Sequence, residues 1–153
     1  MLKSKRDYAN TLRYIQGLLE GERDPIAALA NTAAVLKELP GYFWVGFYLV
    51  KEDELVLGPF QGPVACTRIA YAKGVCGSAW SRAESILVPD VHAFPGHIAC
   101  NAASMSELVV PIKSQSGKVV AVLDIDSTRP ADFDESDQAA LEMLATQLSM
   151  LWP

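Results

Sequence analysis

Residues 7–20 (DYANTLRYIQGLLE) set Tyr8, Leu12, Ile15 and Leu19 at helical spacing, with Asp7 placed as an N-cap. Gly21 and Asp24-Pro25 interrupt that pattern. A second, Ala- and Leu-rich helix is predicted over 25–38, with Pro25 at its first position, and Pro40-Gly41 ends it. The period then changes. Residues 42–50 (YFWVGFYLV) are aromatic and β-branched, which is strand composition, and a turn at 51–54 leads to a second strand at 55–60. Short strands are predicted at 69–71 and 86–88, with a short helix over 77–82 between them. After a Pro- and Gly-rich loop at 89–105 comes the clearest hairpin: 107–113, a turn at 114–117, then 118–126. Phe133 and Asp134 open a last helix reaching residue 152. Its stripe is Leu141, Leu144, Leu148 and Leu151, with Asp134 and Asp137 in a capping arrangement. This order predicts an α+β fold in one domain spanning 1–153: a mostly antiparallel sheet with N- and C-terminal helices packed against it.

Composition narrows the class. The 153 residues can bury a core without staples, and 50% hydrophobic with 20% charged residues is ordinary for a globular chain. A net charge of -5 and a pI near 5.0 leave no basic stripe for phosphates, so nucleic acid is not an expected partner. No apolar run has the length to cross a bilayer, and early positive charge at the N-terminus is not followed by the apolar run of a signal peptide. The expected compartment is the cytoplasm. Thiols stay reduced there, so three cysteines mean free thiols, a metal site or redox chemistry.

The chemistry-bearing residues crowd into residues 62–107. All three cysteines (Cys66, Cys76, Cys100) and both histidines (His92, His97) lie there, among residues that bend backbone. A loop-borne site on a rigid scaffold has this look. Close Cys or His pairs of the kind zinc sites offer are missing from the spacing, so no metal is expected. Each cysteine taken alone reads as a small buried hydrophobe, and His92 and His97 read as loop-ordering residues. Cys100 stands apart, because Pro89-Asp90 and Pro95-Gly96 fix its loop; a thiol there is a candidate nucleophile, with the other two able to resolve its oxidised form.

The hairpin adds carboxylates. With the turn at 114–117, Lys113 faces Lys118, Ile112 faces Val119, and Glu107 lands opposite Asp124. Asp124 and Asp126, two apart, share a sheet face. Three acids at one hairpin end are either a solvated strand terminus or a pocket that wants a proton, an ammonium group or a metal.

The segments QGPVACTRI (61–69), GVCG (74–77) and VPDVHAFPGHIAC (88–100), with Trp44-x-x-x-Tyr48, Ser106-Glu107 and Asp124-x-Asp126, resemble the free methionine-(R)-sulfoxide reductases. These are small enzymes of the GAF fold, and the resemblance covers essentially the whole chain. It implies that Cys100 is the nucleophile, Cys66 the main resolving cysteine and Cys76 an assisting or alternative one. It further implies that Glu107, Asp124 and Asp126 hold the substrate amine and assist the sulfoxide oxygen, while Trp44 and Tyr48 wall the methyl end. The expected substrate is free methionine-(R)-sulfoxide, with no cofactor, thioredoxin as reductant and a homodimer as the oligomeric form. One departure is visible: the family usually has Asp after HIAC, and this chain has Asn101. The competing reading is a GAF-type sensor of small ligands or redox state that turns over no substrate.

Overall fold

In the computed structural model, residues 5–98 and 100–153 are described. The first four residues of the N-terminal segment discussed above, and of the 1–153 domain, lie outside them. The helices are α1 (Tyr8–Leu19), α2 (Pro25–Lys37), α3 (Gly74–Arg82) and α4 (Glu135–Leu148). The strands are β1 (Trp44–Lys51), β2 (Glu54–Gln61), β3 (Arg68–Ala70), β4 (Ile86–Val88), β5 (Ser106–Lys113) and β6 (Val119–Ser127). All neighbouring strands run antiparallel, in the order β3-β2-β1-β6-β5-β4.

Side-chain caps start three of the four helices, α1, α2 and α4. The Asp7 side chain accepts the Asn10 N–H at 3.2 Å, and Asp24 accepts those of Ile26 and Ala27 at 2.9 and 3.2 Å. At α4, Asp134 and Asp137 form a reciprocal capping box. None of the helices among the described residues is long and apolar enough to cross a membrane.

Period-2 alternation divides the sheet into two faces. Val45 and Phe47 of β1, Leu108, Val110 and Ile112 of β5, and Ala121, Leu123 and Ile125 of β6 form the main core with α1, α2 and α4. The intervening residues face the other way. Trp44 and Tyr48, Val109 and Val122 form a second cluster with Val75, Cys76 and Ala79 of α3.

The hairpin register departs from the expectation. Glu107 pairs with Asp126, not Asp124; Ile112 pairs with Ala121; and Lys113 pairs with Val119. The loop is one residue longer than the turn read from SQSG, closing with Ser114 N–H to Lys118 C=O at 2.7 Å and Gly117 at φ +91°. A bulge beside Lys113 supplies the rest of the offset. The helix expected at Gly77 also begins earlier, at Gly74.

Arg6 ties the N-terminal segment to the approach and first turn of α4. The Arg6 guanidinium is 1% exposed, with Nη2 3.1 Å from Asp132 and Nη1 3.0 Å from Asp137. Its Nε donates to the Pro40 carbonyl at 2.7 Å, and it lies 4.9 Å from the Phe133 ring centre. Tyr8 donates to the same Asp137 at 2.6 Å. Removing the cation leaves Asp137 buried without its ion-pair partner and Asp132 with Lys5 alone. Arg6→Met is therefore expected to cost about 3–5 kcal/mol in urea unfolding at pH 7. A loss under about 1 kcal/mol would mean that these acids find other compensation.

Candidate active site

The site sits on the sheet face opposite the main core. In register across the three central strands lie Trp44, Asp126 and Glu107 in one row, and Gly46, Asp124 and Val109 in the next. Gly46 is required there, since a Cβ would come within 2.3 Å of Phe60 Cβ and 2.6 Å of the Trp44 ring. Trp44 stacks between Phe60 (5.3 Å, 17°) and Tyr48 (6.0 Å, 24°). The segment carrying Cys100 and α3 cover this face, leaving a cavity of about 50 Å³ lined by all eight residues expected at the site except Cys66.

α3 approaches the strands closely because of Gly77, whose absent Cβ would lie 2.6 Å from the Ala70 carbonyl oxygen. This brings the neighbouring Cys76 to the acids: its sulfur and one oxygen each of Glu107 and Asp124 lie within 4.8 Å of one another, all buried. Such donors can share a proton, an ammonium group or a small metal ion.

Burial, then Asp124 and Asp126, push the Glu107 carboxyl well above its ordinary range. Asp126 is driven up by burial and by Asp124. Asp124 is raised by burial too, but hydrogen bonds from Glu107 and Cys76 pull it back, which makes it the acid of the three that holds negative charge most readily. Burial and the same acids drive the Cys76 thiol well upward, so it is a proton holder and a poor thiolate. Asp124, 6% exposed, keeps Oδ1 without a hydrogen-bond partner among the described residues. A buried unsatisfied oxygen costs about 1–3 kcal/mol, and a cationic ligand would relieve it.

Cys66 and Cys100 are joined by a disulfide, with Cα atoms 5.4 Å apart across 34 residues of sequence. Cys76 is the free thiol. The Cys66 segment is pinned from β1: Trp44 Nε1 donates to the Pro63 carbonyl at 3.0 Å and the Tyr48 hydroxyl to the Cys66 carbonyl at 2.9 Å. After Cys100, the Asn101 side-chain oxygen accepts the Ala103 N–H at 2.8 Å, a turn that an aspartate would close equally well.

His97 and Lys73 are among the lining residues that the sequence reading does not place in the site. His97 Nε2 lies 3.8 Å from Glu107 Oε1, and burial with His92 lowers the pKa of the imidazole. Its spacing to Cys100, His-x-x-Cys on a fixed loop, was the available signal. Lys73 precedes α3, whose N-terminus has no side-chain cap among the described residues and whose first residues line the cavity.

Residues 22–152 match the GAF domain family. The free methionine-R-sulfoxide reductase of Escherichia coli (strain K12) is 48% identical over 92% of this chain and 86% of its own length. The chain belongs to the free methionine-R-sulfoxide reductase family. Solved structures of that family agree closely. The Neisseria meningitidis free methionine-R-sulfoxide reductase in complex with its substrate has a TM-score of 0.92 at 50% identity, covering 99% of this chain and 94% of that one. The reduced form of the Staphylococcus aureus reductase has a TM-score of 0.93 at 42% identity, with both chains covered completely. The GAF fold expected from the sequence is thus the fold of this family.

Proposed function

We propose that this chain reduces free methionine-(R)-sulfoxide to methionine by thiol chemistry, through Cys100 as nucleophile and Cys66 as resolving cysteine. The observation that carries this is the Cys66–Cys100 disulfide beside a buried group of acids that hold protons. A sulfoxide sulfur is a weak electrophile until its oxygen is protonated, which calls for an acid still protonated at neutral pH. Glu107 is that acid. The Cys100 thiolate attacks the activated sulfur, methionine leaves, and the oxygen stays on Cys100 as a sulfenic acid. Cys66 condenses with it to the disulfide, releasing water.

Asp124 and Asp126 receive the substrate ammonium, which satisfies the unpartnered Asp124 Oδ1. The uncapped N-terminus of α3 and Lys73 suit the carboxylate at the other end of a free amino acid. A peptide-bound residue offers neither charge, so the site selects the free compound. Trp44 and Tyr48 wall the methyl end. Cys76 keeps its proton among the acids, so the assisting resolution that the resemblance implies for it requires the acids to move away first. Thioredoxin, in the cytoplasm, reopens the disulfide. Two chains pair through their N-terminal helices, where Tyr14 and Leu18 of α1 are exposed.

The experiment is turnover of the two separated epimers of free L-methionine sulfoxide, with dithiothreitol or with thioredoxin and NADPH consumption. Reduction of the R epimer alone is expected. Folded, fully reduced protein that turns over neither epimer would leave a ligand-binding GAF sensor as the reading.

A further inference from the structure

Trp44 and Tyr48 each face the cavity and also send their polar hydrogen away from it. The indole N–H reaches the Pro63 carbonyl at 3.0 Å, and the phenol reaches the Cys66 carbonyl at 2.9 Å. Neither ring is free to swing. Both are nearly fully buried, Trp44 is held in the stack with Phe60, and Gly62 meets the indole so closely that a Cβ would lie 2.7 Å from Trp44 Cδ1. The segment so anchored carries no regular structure between the end of β2 and the start of β3. It follows Gly62 at φ +139° and regains a sheet hydrogen bond only where Leu57 N–H donates to the Thr67 carbonyl at 3.0 Å. Among the described residues, the two aromatic donors are the side chains that hydrogen-bond the backbone around Cys66, a hold independent of the disulfide itself.

We propose that Tyr48, with Trp44, is a positioning residue for the resolving cysteine: its hydroxyl holds the Cys66 carbonyl so that the Cys66 sulfur stands where the oxidised Cys100 sulfur forms. The step served is the second one. The Cys66 sulfur attacks the sulfur of the Cys100 sulfenic acid, the S–O bond breaks with its electron pair, and the departing hydroxide takes the Cys66 proton to leave as water. Cys66 is oxidised and the sulfenic sulfur reduced, with no further reagent. This role rests on the reductase reading for its place in the cycle, but the step itself can be started without the substrate.

The test uses Tyr48→Phe, which keeps the ring and removes only the donor. Fully reduced protein is oxidised with hydrogen peroxide, which converts the Cys100 thiolate to sulfenic acid. The lifetime of that acid is read by trapping with dimedone and by disulfide formation. Losing one neutral hydrogen bond should slow disulfide formation about two- to tenfold, with trapped sulfenic acid rising in proportion. Trp44→Phe, which loses the Pro63 bond, should do the same to a similar degree. In a single turnover with methionine sulfoxide, Tyr48→Phe should release methionine ahead of its disulfide, whereas wild type shows the two together. Disulfide formation at the wild-type rate in Tyr48→Phe overturns the proposal. So does a loss in which methionine and disulfide slow equally and no sulfenic acid is trapped, because a pocket-wall role alone predicts that. If wild type releases no methionine while the peroxide experiment still separates the variants, the reductase reading falls and the positioning of Cys66 stands.

Discussion

Serine at position 100 should abolish sulfoxide reduction, with a loss on the order of 10⁴-fold or more, since a hydroxyl ionises far less readily than a thiol and is a weak nucleophile towards sulfur. Serine at position 66 should behave differently. With thioredoxin as the sole reductant, Cys66→Ser should release about one methionine per chain and then stall, because its sulfenic acid has no partner within reach. The contrast is what assigns the roles, since the disulfide is symmetrical and does not say which sulfur met the substrate. If Cys66→Ser were dead in the first turnover and Cys100→Ser gave the burst, the two roles would have to be exchanged. Steady turnover by Cys66→Ser would instead hand resolution to Cys76, against the burial and the neighbouring acids that keep that thiol protonated.

Glu107→Gln should slow reduction on the order of 10²- to 10⁴-fold, the usual worth of a positioned general acid. It should also change the pH profile. Wild-type activity is expected to decline as pH rises through the raised Glu107 value, and that limb should be missing from the variant. Stability should move the opposite way. A carboxyl whose folded pKa lies above its unfolded value binds more protons in the native state, so its folding penalty is absent below the unfolded pKa and grows as pH rises towards the folded one. Glutamine escapes that penalty while still offering an N–H to Asp124. Glu107→Gln should therefore be more stable than wild type at pH 8, by about 1–2 kcal/mol, or roughly 2–4 °C in melting temperature per kcal/mol. The gap should close towards pH 4. Equal melting temperatures at pH 8 would show that Glu107 is not held protonated.

The acid cluster was legible although the register was not. The sequence reading put Glu107 across from Asp124, whereas it lies across from Asp126. The longer loop and the bulge displaced the partner by two residues, and a displacement of two leaves every side chain on its original face. A slip of one would have turned both aspartates into the core. The sequence predicts α3 three residues short because Gly74 looks like an interruption in a chain considered alone. Gly77 meets a backbone oxygen of β3, a contact that no local pattern encodes. Arg6 escaped notice for a related reason. Beside Lys5 it looks like part of a solvated basic start, and its acidic partners lie more than 120 residues away. The cysteines could be picked out as candidates from their crowding, but the choice of Cys66 as the partner of Cys100 came from family resemblance, because spacing offers no preference between two thiols in the same segment.

The division of the sheet into alternating faces has a consequence for how such a protein can diversify. On β1 and β6 the residues that build the core and those that build the cavity interleave one by one along the same strands. Selection for folding and selection for ligand chemistry therefore fall on two combs of positions that are out of phase and hardly share a tooth. One comb can drift while the other is held. A lineage that exchanged the acids and aromatic residues facing α3 for other side chains would keep its hydrophobic layer intact, and the scaffold would be open to a different small molecule.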